Sequence, residues 1–113
     1  MDVNRELQKL MNSGKVLIGS KKTLKVLKSG AEGDKVIIYA SNCPKEIKDE
    51  YEEMDKDEKM RFFEYPSNNL ELGLACGKPF SIASLCIIDT GESEILRLLS
   101  HSGEKTMPKN VGV

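Results

Sequence analysis

The 113-residue sequence is poor in the residues that metal sites and many catalytic centres require. It has a single histidine, His101, and three cysteines, Cys43, Cys76 and Cys86, which form no CxxC pair. A zinc site needs closely spaced cysteine and histidine ligands, and nucleophilic catalysis needs a base beside the nucleophile. We therefore predict no catalytic residue, no metal site, no cofactor and no enzymatic activity. Three unpaired thiols also argue against a disulfide framework and favour a reducing compartment.

Long apolar runs are missing as well. No run approaches the about 20 residues that a membrane-spanning helix requires, and the N-terminus has no signal-peptide pattern. We expect a soluble cytoplasmic protein without a membrane partner. The length fits one domain, which we assign to residues 1–100, and the polar segment 101–113 is predicted to be a flexible tail.

The net charge of −1 hides an uneven distribution of charge along the chain. Residues 1–28 carry seven lysines and arginines and two acids, whereas residues 44–59 carry four lysines and eight acids. A local basic surface therefore coexists with overall acidity, and it remains compatible with a polyanionic partner.

Helix-like and strand-like apolar patterns alternate along the chain, which predicts an α/β fold. The expected architecture is a three-layer α/β/α sandwich with a roughly four-stranded mixed sheet. Loops at the carboxyl ends of strands usually carry the ligand sites of such sheets. The predicted helices cover residues 2–12, 20–29, 44–54, 70–76 and 92–99, and the predicted strands cover residues 16–18, 35–40, 60–65 and 84–88.

A glycine-led segment without acids, residues 19–30, leads from the first predicted strand into a helix. Backbone N–H groups at a helix N-terminus attract phosphate, and lysines on the same helix strengthen that attraction. The alternative is that these lysines only keep a helix face hydrated. The candidate anion-binding residues here are Gly19, Ser20, Lys21, Lys22 and Lys25.

Two further segments at predicted strand ends, residues 42–45 and 78–82, are expected to meet this corner. Asn42 is expected to be a ligand contact, the N-cap of the following helix, or both. The thiol of Cys43 lies near a helix N-terminus, where a lowered pKa is possible. The ring of Phe80 either stacks on an unpaired base or folds back onto the sheet edge.

A nucleotide-binding loop is excluded at residues 73–79. The phosphate-binding loop has four residues between its glycines and a serine or threonine after the lysine. This segment has three residues between Gly73 and Gly77, and Pro79 follows its lysine. A helix end followed by a turn explains the pattern better.

Several ordered segments together resemble the archaeal and eukaryotic ribosomal protein family called L-thirty-e, within the kink-turn RNA-binding superfamily that includes L-seven-Ae. The resemblance covers approximately residues 3–99. The matching segments are Ser13-Gly14-Lys15, Gly19-Ser20-Lys21-Lys22-Thr23-Leu24-Lys25, Ser41-Asn42-Cys43-Pro44, Asn68-Asn69-Leu70-Glu71-Leu72-Gly73, Ala75-Cys76-Gly77-Lys78 and Ile88-Asp89-Thr90-Gly91-Glu92-Ser93.

The resemblance implies a sandwich whose three loops bind a kinked RNA helix with tandem sheared G·A pairs. By position, Gly19 and Lys21 match residues that approach the RNA backbone, and Asn42 matches an asparagine that contacts a guanine. Phe80 matches an aromatic residue that stacks near the kink. Ile82 and the neighbouring Ala83 match the apolar positions beside the bulged nucleotides.

One departure concerns the basic pair that eukaryotic relatives carry after the asparagine loop. The aligned residues here are Ile47 and Lys48, so Lys48 keeps one of the two basic residues. Lys45 can substitute for the other. Residues 52–59 are also more acidic than is usual in the family, which concerns contacts with ribosomal neighbours.

The function implied by the resemblance is a structural component of the large ribosomal subunit, located in cytoplasmic ribosomes. Its partners would be a kink-turn of ribosomal RNA and neighbouring ribosomal proteins, and the free protein would be a monomer. One alternative is a core protein of small guide-RNA particles, although that branch usually has Asn-Glu where Ser20-Lys21 stands. Another is a protein-interaction module of the same fold without RNA binding.

Overall fold

The computed structural model describes residues 3–30, 33, 35–55 and 60–97. The predicted tail, residues 101–113, and the end of the last predicted helix lie outside the described residues. No helix of the described residues is long and apolar enough to cross a membrane. In chain order the elements are α1 Val3–Ser13, β1 Lys15–Ile18, α2 Ser20–Lys28, β2 Lys35–Ala40, α3 Lys45–Met54, β3 Met60–Tyr65, α4 Asn69–Ala75 and β4 Ser84–Asp89.

The four strands form one mixed sheet in the order β1-β4-β2-β3, which confirms the predicted fold class. Strands β2 and β3 are parallel, whereas β4 is antiparallel to both of its neighbours, β1 and β2. The carboxyl ends of β1, β2 and β3 therefore meet the amino end of β4 at one side of the sheet. We call this side the loop edge.

Side chains of β2 alternate between the two faces of the sheet, as the pleat of a strand requires. Ile38 packs on one face in a cluster with Leu7 of α1 and Leu72 of α4. Ile37 packs on the other face in a cluster with Leu27 of α2 and Tyr51 of α3. Each face is thus covered by helices, as expected for the α/β/α sandwich.

The last predicted helix begins later than the sequence pattern indicated. Residues 95–97 are helical, whereas residues 92–94 are not. In this segment, residues 93 and 94 form hydrogen bonds with α1. The backbone N–H of Glu94 donates to Oε1 of the buried Glu6 at 2.7 Å. The hydroxyl of Ser93 donates to the backbone oxygen of Glu6 at 2.7 Å. These bonds hold the segment in a turn until the helix starts.

Candidate nucleic-acid interface

The three segments predicted to form a site lie together at the loop edge. The first segment follows β1 and starts at Gly19, and the second follows β2 and starts at Ser41. The third, residues 76–83, leads into β4. Backbone bonds fix their spacing, because the N–H of Gly19 donates to the oxygen of Ser84 at 2.9 Å and that of Ala40 to the oxygen of Ala83 at 2.8 Å. The connection from β3 to α4 joins the same edge, since the N–H of Ser41 donates to Ser67 at 2.9 Å.

Gly19 makes the turn from β1 into α2 with φ 114° and ψ 142°. Residues other than glycine rarely adopt this backbone conformation. The requirement for glycine comes from the backbone and not from lack of space, because a Cβ at this position would meet no atom within 4 Å. No side chain of the described residues caps α2 at Gly19, and its first turn contains no acid. The N–H groups of that turn therefore suit an anion.

The lysines of α2 differ in their surroundings. Lys21, Lys22 and Lys25 are exposed. Lys28 sits in the last turn, where its Nζ lies 3.0 Å from Oε1 of Glu50 in α3. All four lysines are exposed, but Lys28 alone among them forms an ion pair with Glu50, which offsets positive charge at the end of the helix distant from the loop edge.

Asn42 does not cap α3, so the capping interpretation of this residue is wrong. The cap position is Pro44, which makes no side-chain bond to the helix. The Asn42 side chain instead crosses to α4, where its Nδ2 donates to Oδ1 of Asn69 at 3.0 Å and its Oδ1 accepts from the Asn69 backbone N–H at 2.7 Å. This pair orients the exposed Asn42 amide, whose second N–H suits an acceptor on a base edge.

Asn69 is a residue of the candidate site that the sequence-based prediction missed. It stands beside Asn68, and two asparagines before a helix are readily assigned to capping. Of these two asparagines, Asn68 is the N-cap of α4, since its Oδ1 accepts from the N–H of Glu71 at 2.9 Å. The Asn-Asn pair was therefore a usable signal, but only the structure divides the two roles between the residues.

The two candidate lysines of α3 also have different roles. Lys48 is half-buried, donates to the backbone oxygen of Ser41, and lies 3.6 Å from Oε2 of Glu64. Its ammonium group therefore holds the asparagine loop in place. Lys45 is exposed at the first position of α3, so it is the lysine that can reach a ligand.

Cys43 lies beneath the asparagine loop and is only 4 % exposed. Burial raises the pKa of its thiol, and the nearby Lys48 and a hydrogen bond from Ser20 only partly oppose that effect. The possibility of a lowered pKa is therefore not realised. Cys76 and Cys86 are buried as well.

Phe80 projects from the loop between α4 and β4 with 49 % of its surface exposed, so its ring is not folded onto the sheet. The loop begins with a Schellman motif, in which Lys78 N–H donates to Gly73 at 3.0 Å and Gly77 N–H to Leu74 at 2.9 Å. The positive φ of Gly77, 75°, permits this turn. The backbone holds the ring out toward solvent.

Ile82 differs from its expected role. Its side chain is 1 % exposed and belongs to the core with α1 and α4, so it does not reach a ligand at the surface. Its backbone N–H donates to the oxygen of Asn69 at 2.9 Å, which ties the Phe80 loop to α4. The next residue, Ala83, is half-buried at the edge.

Comparison with known proteins supplies a family. The sequence matches the Ribosomal protein L7Ae/L30e/S12e/Gadd45 family over residues 1–97. A protein of Pyrobaculum calidifontis named large ribosomal subunit protein eL30 is 39 % identical over 102 residues, which is 90 % of this chain and 99 % of that protein. The protein of that name from Methanocaldococcus jannaschii is 38 % identical over 88 % of each chain. The one from Methanosarcina mazei is 40 % identical over 85 % of this chain and 87 % of its own.

Proposed function

The chain belongs to the ribosomal protein L7Ae/L30e/S12e/Gadd45 family, and we propose that it is a structural component of the large ribosomal subunit that binds a kink-turn in ribosomal RNA. The supporting observation is the meeting of the glycine corner, the asparagine loop and the Phe80 loop at one edge of the sheet. The proposed location is the ribosome, a cytoplasmic particle, with neighbouring ribosomal proteins as further partners.

The three segments have complementary roles in this proposal. A kink brings phosphates close together, and the N-terminus of α2 with Lys21, Lys22 and Lys25 offsets their repulsion. Ser20 and Lys45 are the first residues of α2 and α3. Both are assigned to the same contacts with phosphates. Charge alone does not select a sequence or a shape, so selectivity must come from other groups.

Selectivity is assigned to Asn42 and Phe80. A-form RNA hides its major groove, so proteins recognise RNA through bulges, exposed bases and backbone shape. The Asn42 amide is held by Asn69 in a fixed orientation, which suits the edge of one base in the kink. The exposed ring of Phe80 offers a surface on which a base can stack. Ala83 adds a small apolar surface beside them.

The direct test compares binding to a kink-turn RNA and to a continuous duplex with the same number of phosphates, over a series of salt concentrations. We expect tighter binding to the kink-turn at every salt concentration, since the asparagine and the aromatic ring have no partner on the duplex. Equal affinity for the two RNAs would contradict the proposal.

Three pairs of variants refine the test, each with a control at the opposite side of the sheet. We expect Asn42→Ala to weaken kink-turn binding about ten- to a hundredfold, the range for an amide that contacts a base, while Asn12→Ala has no effect. Phe80→Ala should cause a loss of similar size, in contrast to Ile88→Ala, which removes another exposed apolar side chain.

Lys21→Ala should weaken binding to both RNAs and reduce the slope of log K against log salt by about one. The control is Lys15→Ala, which removes the same charge at the far end of β1. Identical effects of the two lysine variants would show that charge acts without regard to position, and would contradict the assigned interface.

A further inference from the structure

A chain of hydroxyl groups lies beneath the loop edge and joins three elements. The Tyr51 hydroxyl of α3 donates to Oγ of Ser84 in β4 at 2.8 Å. That oxygen lies 2.6 Å from Oγ of Ser20 at the start of α2. Tyr51 is 1 % exposed and Ser84 is fully buried, so neither side chain can touch a ligand. Buried hydroxyls are stable only when paired, and these three pair with one another.

The chain continues toward the asparagine loop. The Ser20 hydroxyl also acts on the thiol of Cys43, whose pKa it lowers against the larger effect of burial. Cys43 follows Asn42 directly, and Ser20 follows Gly19. Neighbouring side chains therefore connect the glycine corner with the asparagine loop.

Two members of the hydroxyl chain, Tyr51 and Ser84, are held in fixed positions. The Tyr51 ring packs on Phe62 and Tyr39, with ring centroids 5.1 and 5.7 Å apart, so its hydroxyl has a fixed position. Burial raises the pKa of Tyr51 to about 12, so the hydroxyl keeps its proton and remains a donor at neutral pH. In the middle of the hydroxyl chain, the Ser84 backbone oxygen accepts from Gly19 N–H at 2.9 Å. Ser84 thus holds the glycine corner through both its backbone and its side chain.

We propose that Tyr51, Ser84 and Ser20 are positioning residues that set the distance between the glycine corner and Asn42, and so determine selectivity for kinked RNA. This inference rests on the proposed function. A kinked RNA presents its phosphates and its base edge at a fixed separation, so both protein segments must match it at once. A duplex contacted through charge alone does not impose that match.

The test uses the full chain with Tyr51→Phe, which removes one hydroxyl and keeps the ring. We expect kink-turn binding to weaken about three- to tenfold, the effect of one lost hydrogen bond, and duplex binding to stay unchanged. The matched control is Tyr65→Phe, which removes the hydroxyl that donates to Oδ1 of Asn4 at 2.8 Å, away from the hydroxyl chain. That control should leave the ratio of the two affinities at the wild-type value.

Two further measurements separate positioning from loss of stability. In the unbound protein, Tyr51→Phe should shift the NMR signals of the Gly19 amide and the Asn42 side-chain amide, whereas Tyr65→Phe should not. The double variant Tyr51→Phe/Ser84→Ala should bind the kink-turn no more weakly than the weaker-binding of its two single variants, because both substitutions interrupt the same series of hydrogen bonds.

The inference is overturned if Tyr51→Phe leaves kink-turn binding unchanged, or if it weakens kink-turn and duplex binding equally. Should Tyr51→Phe fold poorly, Ser84→Ala decides in the same way, because Ser84 is buried out of reach of any ligand and its substitution leaves the aromatic packing of Tyr51 intact. Failure of the proposed function is a different result, in which the wild-type chain itself shows no preference for the kink-turn.

Discussion

Gly73 lies inside α4 at the point where this helix touches the loop that carries Phe80. A Cβ at position 73 would stand 1.9 Å from the backbone oxygen of Phe80 and 3.2 Å from the Cα of Ser81. The obstructing atoms belong to the backbone, so no side-chain rotation relieves the overlap. Gly73→Ala must therefore move the loop as a unit, and this gives a sharp test of the packing.

The expected size follows from the geometry. Because ordinary contact begins at 3.4 Å and the Cβ would stand at 1.9 Å, the loop must shift by about 1.5 Å. The shift strains the bonds from Lys78 N–H to Gly73 and from Ile82 N–H to Asn69. Overpacking costs about 1–3 kcal/mol, and the rigid backbone atoms met here place the cost at the upper end of that range, while the higher helix propensity of alanine returns about 1 kcal/mol. We expect a net loss of about 2 kcal/mol and a Tm lower by roughly 10 °C.

Urea denaturation followed by circular dichroism measures the free energy of unfolding of Gly73→Ala against wild type. The control is Leu74→Ala, which changes the next residue of α4, where the side chain is 56 % exposed and the helix propensities of the two residues are similar. The control should change stability by less than about 0.5 kcal/mol. A Gly73→Ala protein as stable as wild type would refute the close approach of loop and helix. Because the loop carries Phe80, kink-turn affinity should fall as well.

Two other predictions concern backbone strain and pH. Gly19→Ala should lower the free energy of unfolding by about 1–3 kcal/mol through the positive φ alone, since a Cβ there meets no atom within 4 Å, and urea midpoints equal to wild type would contradict this. Burial raises the pKa of Cys76 from 9.0 to about 12, so above pH 9 the thiol ionises in the unfolded chain first. Stability should therefore fall between pH 9 and 12 by up to about 1.4 kcal/mol per pH unit. Cys76→Ala should flatten that fall, and parallel pH curves for the two proteins would argue against it.

The elements and their arrangement were largely predictable because period and length are local signals. The run at residues 35–40 is apolar on both faces, which is typical of a central strand, and β2 lies between β4 and β3. The meeting of the glycine corner and the asparagine loop followed from the same reasoning, because strands that run in one direction bring their carboxyl ends to one edge. The Phe80 loop joins them because β4 is antiparallel to its neighbours and starts at that edge. The unexpected late start of the last helix depends on Glu6, which lies 88 residues away from Glu94.

The roles of single side chains in the loops were less predictable. The pairing of Asn42 with Asn69 joins residues 27 positions apart and depends on the parallel register that sets Ala40 opposite Tyr65. Ile82 lies in a loop without a repeating pattern, so nothing in the sequence indicates whether its side chain faces the core or the solvent. Matching a residue to its position in the family does not tell these two roles apart. A residue that shapes a loop and a residue that touches a ligand can occupy matching positions equally well.

The position of charge along α2 explains how a chain of net charge −1 can present a basic surface. The helix starts at the loop edge, and the ion pair with Glu50 involves Lys28 in its last turn. With a rise of about 1.5 Å per residue, Lys28 lies about 10 Å farther from the edge than Lys21. This distance is about one Debye length at 0.1 M salt, so the Glu50 carboxylate acts weakly on the potential at the loop edge. The acid of this ion pair therefore offsets lysine charge at the far end of α2 and leaves the exposed lysines near the loop edge able to attract phosphate.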